Sequence, residues 1–157
     1  MVFDAWAAEF FNRAVKAGIS PALLEREMAG LTPDPRVTSR DSRQPEFSQP
    51  ISADSAGAVA SGPSSTGMRK RTEIPSFASI EQRFGVPREI LIGIWSRESA
   101  FGAIQGDFDV VRSMASLAAQ GRRRDWAEGE LIATLKIIGS GEFPRSQLKG
   151  SWAGAMG

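Results

Sequence analysis

Apolar residues recur at intervals of three and four along most of this chain, and nowhere do they alternate with polar ones over the length of a strand. That period belongs to amphipathic helices and excludes a sheet-based fold. Phe3, Trp6, Ala7, Phe10, Phe11, Ala14 and Val15 form one stripe, with Asp4, Glu9, Arg13 and Lys16 mostly off it. Gly18 suits the stop, and Ser20-Pro21 suits an N-cap and first turn for a second helix through Leu23, Leu24 and Met28, ending at Gly30. From Pro33 to about Ile74 the helical signal fails. Prolines 33, 35, 45 and 50 interrupt it, and Ser, Ala and Gly fill 12 of the 17 positions from Ile51 to Gly67, a composition that buries little and predicts a surface loop or disordered tract. Patterning returns with Phe77, Ile80 and Phe84 before Gly85. Pro87 then opens a helix through Ile90, Leu91, Ile92, Ile94 and Trp95 to about Ala100. Asp107 or Asp109 can cap the next, bearing Val110, Val111, Met114, Leu117 and Ala118. A last helix runs from about Arg124 through Leu131 and Leu135 to Ile138, ending near Gly139 and Gly141. The fold class is all-α, in three parts: a helical pair at 1–32, a Pro/Ser/Ala/Gly-rich linker at 33–74, and a helical region at 75–157.

Composition narrows the chemistry. The 157 residues include no cysteine and no histidine. Thiolate nucleophiles, Ser-His-Asp and Cys-His machinery, and Cys- or His-ligated zinc are therefore excluded, and no metal or cofactor is called for. Acid–base work falls to Asp, Glu, Lys or water. Nineteen Lys and Arg against eighteen Asp and Glu leave a net charge of +1, which argues against a dedicated nucleic-acid binder. No apolar run approaches the roughly 20 residues of a membrane span. The charges at Asp4, Glu9, Arg13 and Lys16 do not read as a secretory signal.

One carboxylate is out of place. Glu98 stands at i+4 from Ile94, i+7 from Leu91 and i+11 from Pro87, so it prolongs an apolar stripe in the last turn of its helix. Burial there and the negative helix end both favour the neutral acid, the form a general acid requires. Periodicity alone leaves open that the stripe has ended and Glu98 is solvated, or that it pairs with Arg97 or Arg88.

The segment Ile94-Trp95-Ser96-Arg97-Glu98-Ser99-Ala100-Phe101-Gly102 resembles the catalytic segment of the membrane-bound lytic murein transglycosylase B family. Trp6 with Phe10, Gly18-Ile19-Ser20, Asp34-Pro35-Arg36-Val37 and Asp41-Ser42-Arg43-Gln44-Pro45-Glu46-Phe47 match earlier parts of that family. So do Ile80-Glu81 and Phe84-Gly85-Val86-Pro87 before the helix of Glu98. Arg122-Arg123, Trp126, Glu130-Leu131 and the closing Gly150-Ser151-Trp152-Ala153-Gly154-Ala155-Met156-Gly157 match after it. Together these touch nearly all of the chain outside residues 48–75.

The resemblance implies a lysozyme-like helical fold over 75–157, peptidoglycan glycan strands as partner, and a periplasmic or cell-envelope location. It assigns Glu98 as sole catalytic acid/base, Ser151 as a sugar contact, and Arg122 and Arg123 as substrate-contact candidates. A guanidinium pair suits the lactyl and stem-peptide carboxylates of murein. Ser151 also fits a plain turn or cap, and Arg122–Arg124 a solvated basic patch. The implied reaction cleaves the MurNAc–GlcNAc bond, forms 1,6-anhydro-MurNAc and consumes no water. It therefore lacks the second carboxylate of most glycosidases. Asp107, Asp109, Glu128 and Glu130 are the candidates if a second one is used. The family continues past Gly-Ala-Met-Gly, and it usually carries an aromatic-bearing helical segment where this tyrosine-free chain has residues 51–67. The chain accordingly reads as a member incomplete at its C-terminus, with a catalytically inactive peptidoglycan-binding module as the alternative. A third reading, a helical interaction protein, would use Arg69-Lys70-Arg71 and Arg122–Arg124 on anionic partners.

Overall fold

The computed structural model describes residues 2–43 and 65–156. Among these are eight α-helices: α1 (Val2–Lys16), α2 (Pro21–Met28), α3 (Pro35–Ser42), α4 (Ser65–Glu73), α5 (Ser76–Phe84), α6 (Arg88–Ser99), α7 (Val110–Gln120) and α8 (Arg124–Ser140). Two strands of two residues each, β1 (Phe108–Asp109) and β2 (Lys149–Gly150), pair antiparallel with Phe108 opposite Gly150. The all-α expectation holds, and a two-residue strand is too short to show alternation in sequence. The chain forms two compact units, one of residues 1–44 with 105–156, the other within 45–104.

In the first unit α7 is the axle. Val110, Val111 and every residue from Ser113 to Ala119 are buried. The small Ala115, Ser116, Ala118 and Ala119 let neighbours approach from several sides. Against it α8 lays Ala127, Leu131, Thr134, Leu135 and Ile138, while α1 contributes Phe3, Trp6, Phe10 and Ala14. The Trp6 ring stacks on Phe10 at 5.1 Å, and its Nε1 donates to Glu128 of α8 at 2.8 Å. Each fully buried Leu or Phe contributes on the order of 2 kcal/mol of transfer free energy. Two caps come where the sequence placed them or offered a choice: Ser20 accepts from Leu23 N, and Asp109, not Asp107, accepts from Arg112 N at 3.0 Å. Asp107 lies exposed beside Arg36 at 3.6 Å.

Two helices stand where the helical signal fails. Asp34 caps α3 through Arg36 N at 2.9 Å with Pro35 in its first turn, yet Val37 is its one large apolar residue, so no stripe is visible. Helix α4 carries only Met68 among large apolar residues and packs its Gly67 against Ile92 and Phe101. The expected loop at 51–67 lies outside the described residues as far as residue 64, as do residues 44–47 of the Asp41–Phe47 motif.

The second unit holds α4, α5 and α6. Ile92 is its buried apolar side chain among the described residues, with Trp95 half-buried between Phe77 and Phe101 at ring distances of 6.3 and 5.3 Å. Arg88 pairs with Glu81 at 2.7 Å and fastens α6 to α5.

Candidate active site

Glu98 occupies the last turn of α6 and is exposed. The burial predicted from its apolar stripe is not found, because the helix is apolar on more than one side. Leu91, Ile92, Trp95 and Ser99 turn inward, whereas Ile90 and Ile94, on the Glu98 face, are 54% and 56% exposed. Arg88 is committed to Glu81, so the pairing of Glu98 with Arg88 does not form. The carboxylate is thus presented to solvent at a helix end.

The chain turns sharply just beyond it. Ala100 and Phe101 adopt left-handed φ values of 47° and 63°, the two non-glycine residues with positive φ among those described. Such conformations cost on the order of 1–3 kcal/mol each and need surrounding contacts to persist. Ser99 is buried, and its Oγ accepts from Gly102 N at 3.0 Å.

Arg122, Arg123 and Ser151 belong to the first unit. The Arg122 backbone N–H donates to Oδ2 of buried Asp41 at 3.2 Å, and its guanidinium donates to the Asp41 carbonyl, tying α3 to the turn before α8. Its neighbour Arg123 is exposed and lies over the Trp126 ring, 4.6 Å from the centroid. The pair read together in sequence is therefore divided between an anchor and an outward-facing cation. Ser151 follows β2. Its Oγ accepts from Ala153 N at 3.3 Å and Ala155 N at 3.2 Å, the turn role that its sequence also allowed. A hydroxyl used in this way keeps its own proton for donation. The turn is crowded: a Cβ on Gly106 would lie 2.1 Å from the Gly150 carbonyl oxygen, so only glycine permits the β1–β2 approach that seats Ser151.

The other carboxylates are mostly committed. Asp109 caps α7 and accepts from Arg145 at 2.9 Å; Glu128 accepts from Trp6 and Arg13. Glu130 instead borders a cavity of about 220 Å³ with Met114, Trp126, Thr134, Ile137 and Met156. Sequence reasoning missed this cavity, although Trp126 and Glu130, one turn apart on α8, were its visible signal. Among the described residues no group of three or more metal-ligating side chains could hold a metal ion. Nor is any helix long and apolar enough to cross a membrane.

Comparison with known proteins adds four findings. A family model described as the transglycosylase SLT domain matches residues 2–157. Over 77 residues, 48% of this chain and 21% of the relative, the sequence is 36% identical to membrane-bound lytic murein transglycosylase B of Escherichia coli (strain K12). The crystal structure of SltB3 from Pseudomonas aeruginosa in complex with NAG-NAM-pentapeptide is similar, with a TM-score of 0.83 and 36% identity, covering 99% of this chain and 42% of that one. The Escherichia coli lytic transglycosylase SLT35 in complex with bulgecin A is similar in fold, with a TM-score of 0.67 at 24% identity over 97% of this chain and 50% of that one. The matched stretches therefore cover between 21% and 50% of the length of these relatives.

Proposed function

The chain belongs to the transglycosylase SLT domain family, whose all-α fold is lysozyme-like, and from that premise we propose that it cleaves the MurNAc–GlcNAc bond of peptidoglycan with Glu98 as its acid/base. The observation that carries this reading is the exposed Glu98 at the end of α6 in a chain matched by the family from residue 2 to 157. Its relative SltB3 is held in complex with NAG-NAM-pentapeptide, which makes glycan bearing a stem peptide the substrate class proposed here. Such a substrate lies in the cell envelope, and there we place the protein's action.

The chemistry needs one carboxyl group. Glu98 as the acid donates its proton to the glycosidic oxygen, and the bond from C1 of MurNAc to that oxygen breaks, releasing the GlcNAc hydroxyl. The neighbouring 2-acetamido oxygen supports the electron-poor C1. The Glu98 carboxylate then removes the proton from the C6 hydroxyl, whose oxygen bonds to C1 and closes the 1,6-anhydro ring. Glu98 ends protonated, as it began, and no water enters. Glu81 and Glu73 of the same unit are engaged by Arg88 and Lys70. Arg123 is suited to a lactyl or peptide carboxylate, and the Ser151 hydroxyl to a sugar acceptor. Arg122, by its Asp41 contacts, holds the turn that presents Arg123.

The test is to incubate isolated sacculi with the chain and with Glu98→Gln, reading released muropeptides by mass spectrometry. Anhydro-muropeptides from the native chain, with a loss of at least about 100-fold in the variant, are expected from removal of a sole acid. Equal release by Glu98→Gln overturns the assignment, and ordinary reducing ends would mean a hydrolase. Retention on sacculi without product would favour the binding-module reading, for which exposed Trp126 beside Arg123 offers a stacking platform.

A further inference from the structure

The strained turn after Glu98 calls for an explanation. Two other helices of this chain, α5 and α8, end on a left-handed glycine, Gly85 at φ 69° and Gly141 at φ 77°. Glycine adopts that conformation without a steric penalty. At the end of α6 the same conformation is imposed on Ala100 and then on Phe101, before Gly102 at φ 83°. A simple helix stop does not require two consecutive side chains in this region.

Several contacts hold the turn. Ala100 N donates to Ser96 O at 3.0 Å and Phe101 N to Trp95 O at 3.3 Å. The buried Ser99 is used at both ends: its Oγ accepts from Gly102 N at 3.0 Å, and its carbonyl accepts from Ile104 N at 2.9 Å. The Phe101 ring sits edge-on to Trp95, 5.3 Å away at 86°. The consequence for Glu98 follows from helix geometry. Had α6 run on, residues 101 and 102, three and four positions later, would flank Glu98 on its own face. The left-handed pair takes the chain away and sends the Phe101 ring to Trp95, so the carboxylate keeps an open approach.

We propose that Ser99 is a positioning residue for Glu98, its hydroxyl pinning the left-handed Ala100–Phe101 turn that holds the carboxylate at an uncovered helix end. This rests on Glu98 being the acid of the proposed function. Thr at 99 retains the acceptor, Ala removes it, and Gly at 100 keeps the left-handed geometry with less strain.

Turnover on sacculi and the ¹³C carboxyl titration of Glu98 are measured for the native chain, Ser99→Ala, Ser99→Thr, Ala100→Gly and Glu98→Gln. Ser99→Ala should lower kcat about tenfold or more with KM nearly unchanged, the signature of a misplaced catalytic group. Its Glu98 titration curve should also move away from the native one. Ser99→Thr should restore both, and Ala100→Gly should stay close to native. Where Ser99→Ala lowers helical content, Ser99→Cys keeps the volume with a poorer acceptor and takes its place. Native kcat and a native titration curve in the Ser99 variants, with Glu98→Gln inactive, overturn the positioning role and leave the function standing. An active Glu98→Gln overturns the function instead, and the titration, which needs no turnover, still decides whether Ser99 sets the surroundings of Glu98.

Discussion

At the scale of single residues, hydrogen-bond commitments separate structural charges from available ones. Asp34 is buried and accepts from the Arg36 backbone N–H at 2.9 Å, with Arg36 Nε at 3.2 Å and Nη2 at 2.8 Å from its oxygens. The Arg36 side-chain bond holds its carboxyl below the ordinary range, against the opposing effect of burial, with help from the Arg36 backbone bond and the charge of Arg112. A folded-state value below the unfolded one means that folding favours the ionised form. Its stabilisation is complete above about pH 4, the unfolded carboxylate value, and is lost as pH falls through the lowered folded one. Asp34→Ala should therefore cost about 1–2 kcal/mol in urea unfolding at pH 7, the range of a lost N-cap, and much less at pH 2. An equal loss at both pH values would mean that charge is not the reason. The two arginines before α8 make a complementary pair. Arg122→Ala keeps the backbone bond to buried Asp41 but loses the guanidinium bond to the Asp41 carbonyl and the ion pair beside it, and should cost about 1–1.5 kcal/mol. Arg123→Ala, at an exposed site, should change stability by no more than about 0.5 kcal/mol while weakening retention on sacculi. Matched stability losses in the two variants would dissolve this distinction.

At the scale of elements, what could be read from sequence was whatever periodicity and caps encode. Helices α1, α2 and α8 have one apolar stripe each and bury most of it, Val15 excepted, whereas α7 is buried well beyond the stripe that its sequence shows. Helix α3 escaped notice because Val37 is a stripe of one, although Asp34-Pro35 already spelled its start. The approach of β1 to β2 rests on the missing side chain of Gly106, a signal that no periodicity carries. Helix α6 was found, but its orientation was not: Ile90, Leu91, Ile92, Ile94 and Trp95 surround so much of the axis that the period does not say which side is covered. The position of Glu98 was thus legible and its exposure was not. The difference is measurable. Leu131→Ala empties a fully buried position between α7 and α8 and should cost about 2–5 kcal/mol. Ile94→Ala, from an equally apolar helix but an exposed site, should cost within about 0.5 kcal/mol. Denaturant midpoints of the two variants check this, and a large loss at Ile94 would show that its face is covered in solution.

At the scale of the whole molecule, burial is unevenly shared. Among the described residues, all buried apolar side chains but Ile92 belong to the unit of residues 1–44 and 105–156, while Glu98 stands in the other unit. Stability against opening follows buried apolar contact, so amides of α7 should exchange with solvent only by global unfolding and those of α5 and α6 by cheaper local opening. A difference of about 3 kcal/mol between the two routes corresponds to more than 100-fold in exchange rate. This arrangement places the candidate acid where ordering is still to be gained, and a ligand that binds only the closed form supplies it. A muropeptide at 100 times its dissociation constant stabilises the form it binds by about 2.7 kcal/mol. Added GlcNAc-MurNAc-pentapeptide should therefore slow exchange in α6 by up to about 100-fold while α7, already limited by global unfolding, changes by no larger factor. Hydrogen exchange read by mass spectrometry resolves these helices in one experiment. Protection gained at α6 would tie the weakly packed unit to glycan recognition. Protection gained only around Arg123 and Trp126 would place recognition on the well-packed unit and leave Glu98 without a bound substrate.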